Sequence, residues 1–262
     1  MLSHEGKART FSENTRLAIA LSGIAGAVNA TGFFVVGSYT SHVTGNVARI
    51  GDELAQGNYG LAGSAFLLVV AFLVGAMVAT VLVDVARRVV GRAHYKSALL
   101  VETSVLGAFT ILSSIPGLPL LPLTAMLCFA MGMQNALVTK ISGAIVRTTH
   151  LTGVTTDFGI ELVQLWLWFR ERSRGMGLLG KAHLLRHSLR DPRLEQAWLH
   201  FAIFASFLSG ATVGPLLYLR VGHFAMGLPC AVLLLLVGRE ALAAKRRAAA
   251  TAAAAEPVRL AG

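Results

Sequence analysis

The sequence predicts an all-α, polytopic membrane protein, and three observations carry that prediction. Apolar residues make up 55% of the 262-residue chain and charged residues only 14%, against roughly 25% charged in soluble domains. The mean hydropathy is +0.65. The apolar residues also fall into runs of membrane-spanning length, and the segments between them hold most of the Lys and Arg.

A helix rises 1.5 Å per residue, so it needs about 20 residues to cross a hydrocarbon core of about 30 Å. Six segments meet or approach that length. The polar segment 1–16 precedes the first, Leu17 to Val36, and is read as cytoplasmic because it carries Lys7, Arg9 and Arg16. Leu61 to Val83 follows as the second span, and Ser97 to Ile115 as the third. The turn Pro116-Gly117-Leu118-Pro119 then forces an antiparallel hairpin into the fourth, Leu120 to Thr139. Ala197 to Leu219 and Val221 to Gly238 complete the set, and 245–262 is an Ala-rich, low-complexity cytoplasmic tail.

Charge sets the orientation. Arg87, Arg88, Arg92 and Lys96 fill the second connection, a basic loop occupies 170–196, and Lys245, Arg246 and Arg247 open the tail. The first connection offers only Arg49, the third nothing and the fifth Arg220, so six spans with both ends cytoplasmic fit throughout. The bacterial inner membrane is the expected location. One further apolar segment, Val154 to Phe169, contains Asp157 and Glu161. If it crossed, the basic loop would be translocated, so it is read as a short re-entrant or interfacial helix. The formal charge of +10 is thereby explained by topology, and no nucleic-acid partner is called for. Cys128 and Cys230 each sit in an apolar run and suggest neither a disulfide framework nor a thiolate metal site.

The chain also repeats itself. Thr40-Ser41-His42-Val43-Thr44-Gly45 recurs as Thr148-Thr149-His150-Leu151-Thr152-Gly153, an offset of 108. At that offset Gly51 matches Gly159, Glu53 matches Glu161 and Leu54 matches Leu162. Upstream, Gly26-Ala27-Val28-Asn29-Ala30 matches Gly132-Met133-Gln134-Asn135-Ala136; downstream, Phe72 to Ala76 matches Phe207 to Ala211. Two halves, 17–115 and 116–244, result. Each holds three spans, and because three is odd the second half enters the bilayer from the opposite side, as in inverted-repeat transporters. The segment from Asn46 to Gln56, about 16 Å as helix, covers only half a bilayer, so a discontinuous helix is expected after each His-x-Thr-Gly motif.

Those breaks hold the candidate substrate-binding residues: Asn29, Thr40, His42, Thr44, Gly45 and Glu53 in the first half. The second half offers Asn135, Thr148, His150, Thr152, Gly153, Asp157 and Glu161. Imidazole exchanges protons near neutral pH; the plainer reading is that each His ties down its own turn while Thr44 or Thr152 caps the next helix. The two glutamates serve a site or are solvated interfacial carboxylates, and the two asparagines contact a solute or act as packing glue between helices. Arg49 and Asp157 are repeat equivalents of opposite charge, read as a counter-charge pair or as unrelated surface charges. Glu102, inside the third span, faces a cavity or pairs with Lys96. No catalytic signature, metal set or cofactor motif is present.

Gly26-x-x-Asn29-Ala30, then Phe33-Phe34 and Thr40-Ser41-His42-x-Thr44-Gly45-Asn46, resembles the YoaK-like family of bacterial membrane proteins, over Leu17 to about Gly238. The second copy departs from the motif in having Val154 where the first has Asn46, and the basic insertion is long. That family has no assigned activity, so the resemblance implies a fold and a location but no substrate. The expectation is a small-solute permease with a midplane site between inverted halves. A non-transporting scaffold that uses Arg170 to Arg193 is the alternative, and a membrane-embedded enzyme the third. The partners expected are the bilayer, a small solute and, if copies associate, a homo-oligomer.

Overall fold

The computed structural model describes residues 10–90, 95–177, 179–180, 183–184, 192–239 and 241–242. The tail 245–262, most of segment 1–16 and much of the basic loop lie outside them. Among the described residues the fold is all-helical, and five helices are long and apolar enough to cross a membrane.

Helix α1 (Phe11–Val36) starts six residues before the apolar run does. Thr10 and Glu13 form a capping box that satisfies the first free N–H groups, so the helix nucleates in the polar segment. After a break come α2 (Val43–Ala55) and α3 (Tyr59–Val90), with Gly57 in the left-handed region between them. Helix α4 (Lys96–Ser113) and α5 (Leu120–Ser142) form the expected hairpin, with Gly117 at φ 83 in the turn. After a second break come α6 (Leu151–Arg172) and α7 (Pro192–Val221).

Two expectations need correcting. Helix α6 is not short: its 22 residues span about 33 Å, because Leu151, Thr152 and Gly153 extend it backward and Arg170 to Arg172 forward. The last predicted span does not begin as α-helix. Gly222 takes φ 61 after α7, Gly222–Met226 is a 3-10 turn, and α-helix covers only 227–239. Pro229, which has no N–H to give, fits the opening turn of that segment.

Glycine sets the packing. A Cβ at Gly26 would overlap the Phe207 carbonyl, and one at Gly210 the Gly23 carbonyl, so α1 and α7 touch backbone to backbone. A Cβ at Gly132 would overlap the Phe72 carbonyl, and one at Gly75 the Phe129 carbonyl, so α5 and α3 do the same. Both pairs run parallel: Phe34 meets Tyr218 beyond the first crossing, and Lys140 Nζ reaches Asp84 Oδ1 at 2.6 Å beyond the second. Helices α1 and α5 run antiparallel, since Gln134 Nε2 donates to the Leu21 carbonyl at 3.2 Å while Gly32 abuts Leu127. The buried core lies where these helices meet, around Leu17, Leu21, Leu99, Met131, Met133 and Ile141. The outside is apolar instead: Phe66, Met77 and Val81 on α3 are each more than half exposed. A surface of that kind suits lipid chains and not water.

Candidate functional site

The two breaks are built alike. Helix α1 ends on Gly37 at φ 71, whose N–H bonds the Phe33 carbonyl; α5 ends on Gly143 at φ 64, bonded to the Thr139 carbonyl. In each case the left-handed cap turns the chain back toward its own helix. An asparagine then catches it. Asn29 Oδ1 accepts from the Ser41 N–H at 3.0 Å and the Ser41 hydroxyl at 3.1 Å. Asn135 Oδ1 accepts from the Thr149 hydroxyl at 2.6 Å, while its Nδ2 donates to the Met131 carbonyl at 2.7 Å. These asparagines tie a break to its own helix and are not glue between spans.

The histidine follows as N-cap, with φ −88 and ψ 65 at His42 and φ −87 and ψ 53 at His150. Neither side chain makes a capping hydrogen bond. Thr44 and Thr152 lie inside the first turn and do not cap it, because the backbone turns helical at the residue after each His. The ring packs instead over the third residue on: a Cβ at Gly45 would overlap the His42 ring, and one at Gly153 would sit 2.7 Å from His150 Nδ1. The His-x-x-Gly spacing is therefore a packing requirement. Thr40 and Thr148, 1% and 0% exposed, bring their hydroxyls into the protein with no hydrogen-bond partner. Such orphaned groups cost stability and mark places where a water or solute would be welcome.

Beyond the caps the copies diverge. Helix α2 packs on α3, and Glu53 is satisfied locally by Arg49 Nε at 3.4 Å and Asn58 Nδ2 at 3.0 Å. Helix α6 packs antiparallel on α7, and Glu161 reaches across to His200, whose Nδ1 lies 2.9 and 3.0 Å from the two carboxylate oxygens. A carboxylate only accepts, so Nδ1 carries the proton. Arg49 and Asp157 are thus no counter-charge pair; Arg49 stays on its own helix. Asp157, Glu161, Gln164, Gln196 and His200 line a cleft of about 360 Å³ between α6 and α7. Among the described residues, no hydrogen bond or ion pair joins the first break to the second.

Glu102 is buried at 1% exposure, has an unpartnered Oε2 and is not paired with Lys96, which lies exposed six residues earlier. Cys230 packs nearby, its thiol 3.9 Å from the Thr103 carbonyl. Sequence reasoning missed His200 and the Lys140–Asp84 pair. A histidine at the opening of an apolar run was the available sign of the first, and opposite charges at the ends of two spans the sign of the second.

The family described as Protein of unknown function (DUF1275) matches residues 17–238. The chain belongs to this family. It is 25% identical over 152 residues to the UPF0700 transmembrane protein YoaK of Bacillus subtilis (strain 168), covering 57% of this chain and 67% of that protein. No solved structure matches. The match spans both breaks and the α6–α7 cleft. It establishes a multi-pass transmembrane protein and, like the geometry, leaves the activity open.

Proposed function

We propose that the chain is a small-solute permease built from two inverted halves, with six crossings and both termini on the cytoplasmic side of the bacterial inner membrane. The observation that carries this reading is the paired break. Each Asn tether lies three residues beyond a glycine crossing, about 4.5 Å along the helix. Each break therefore hangs about one helical turn from the middle of the bundle, and α1 and α5, which carry them, run antiparallel. Two broken helices whose second segments open toward the centre from opposite ends are the arrangement in which inverted-repeat transporters hold their solutes. The uncapped first turns and the orphaned Thr40 and Thr148 hydroxyls supply unsatisfied donors there. The 3-10 turn and segment 227–239 together reach about 30 Å, enough to return the chain across the bilayer.

Uptake into proteoliposomes tests the reading with methylammonium, acetate, alanine and glucose, which represent cationic, anionic, zwitterionic and neutral small solutes. Saturable flux of at least one, lost in Asn29→Ala/Asn135→Ala protein that still runs as a monodisperse species, is the expected result. Flux of none, from correctly inserted wild-type protein, argues against a permease.

A further inference from the structure

We propose that Glu102 is a proton-binding site: its carboxyl group holds a proton while the two halves close over it and releases it to water when they part. Its depth is the first reason. Glu102 lies about 9 Å from one end of α4 and about 16 Å from the other. Counted from the hairpin it is level with Met131, beside the Gly132 crossing, so it sits near the middle of the bundle and of a hydrocarbon core of about 30 Å. It also lies where the halves meet. Cys230, from the last segment of the second half, packs on the carbonyl of the next residue, Thr103.

Nothing answers this acid. Its Oε2 has no partner, and no ion pair among the described residues includes it. The charged groups of the neighbouring elements stand near the helix ends: Glu13 and Arg16 on α1, Asp84, Arg87 and Arg88 on α3, Lys140 on α5 and Arg239 on segment 227–239, with Lys96 opening α4 itself. At the depth of Glu102 these elements offer only the thiols of Cys128 and Cys230, and His223 lies farther toward the hairpin end, in the 3-10 turn. A bare carboxylate so placed costs far more than the acid does, so the form described here holds the proton. Packing alone gives no reason for the residue, since a methionine would fill similar space with no polar atom left over.

A way out for the proton is built beside it. Gln134 Oε1 on α5 is buried without a partner within about one turn of the same depth, and so is Ser22 Oγ on α1, next to the Leu21 carbonyl that Gln134 Nε2 reaches. Polar atoms left over on three helices at one depth are what bridging waters satisfy. Such a water is the acceptor: the O–H bond of the acid breaks, its electron pair stays on the carboxylate, and the water becomes hydronium. The site names a coupling ion for the permease and rests on that reading for its purpose, but the proton is detectable without any flux. Flux with no proton at Glu102 removes the site and leaves the permease; a proton there without flux does the reverse.

Infrared spectra of the full-length protein in lipid nanodiscs at neutral pH test this. Wild type should show a carboxylic-acid C=O band that Glu102→Gln lacks, because exposed Asp and Glu are ionised there, and heavy water should shift the band as the proton exchanges. Glu102→Gln mimics the neutral acid, so it should melt no lower than wild type. Dicyclohexylcarbodiimide, which attacks protonated carboxyls in apolar surroundings, needs no variant. Peptide mass spectrometry of the wild-type protein should place its adduct at Glu102, formed several-fold faster at mildly acid than at mildly alkaline pH. No band that depends on Glu102, a band that heavy water leaves unshifted, or no adduct at Glu102 would each overturn the proposal.

Discussion

The two halves agree where backbone meets backbone and part where charge meets charge. Gly26 and Gly132 both admit a carbonyl from the partner half, Gly75 and Gly210 do so in return, and both breaks are held by Asn to Ser or Thr. Yet Glu53 is answered within its own helix and turn, and Glu161 from across a cleft. Close packing has few solutions, since a methyl group has nowhere to go at these crossings, so both copies keep the same residues. A surface carboxylate can be balanced in many ways, and there the two segments differ.

The largest effect that could break this comparison lies at the crossings. Alanine at Gly26, Gly75, Gly132 or Gly210 would drive a Cβ into backbone, which cannot swing aside, so each should cost about 3 kcal/mol or more. Gly51→Ala meets open space on α2 and should be neutral or slightly stabilising. Thermal unfolding in detergent measures all five. Equal losses across the four crossings support a shared framework, and sensitivity confined to one half contradicts it.

A smaller effect sharpens the difference. His200→Ala leaves Glu161 half-buried without its donor, a loss of roughly 1–3 kcal/mol. Arg49→Ala removes an exposed partner and leaves Asn58 in place, so it should cost under about 1 kcal/mol. The same melts read both, and an Arg49→Ala loss equal to that of His200→Ala would remove the distinction between the copies.

Much of the framework was legible because it rests on local rules. Apolar runs located α3, α4 and α5 to within a few residues at most boundaries, the Pro-Gly-Leu-Pro turn gave the hairpin, and the repeat pointed to both breaks. The Thr10 to Glu13 capping box is also in plain view, but the residues of that turn are polar, so the apolar run opens six residues after α1 does. The reach of α6 was hidden for the same reason, since Arg170, Glu171 and Arg172 at its end carry no apolar signal while hardly disfavouring helix. His200 was out of reach because its role depends on which α7 residue faces Glu161, and periodicity does not register one helix against another. The roles of the motif residues also needed coordinates. A ring lying over Gly45 leaves no trace in sequence beyond a spacing that caps and solute sites share.

Side-specific cysteine labelling reports on whether the two halves are inverted. With Cys128 and Cys230 replaced by Ser, single cysteines are placed at Gln56, just after α2, and at Arg174, just after α6, both exposed. A membrane-impermeant maleimide applied to intact cells should label position 56 and leave position 174 unlabelled until the membrane is permeabilised. Labelling of both positions from the same side would contradict the inversion.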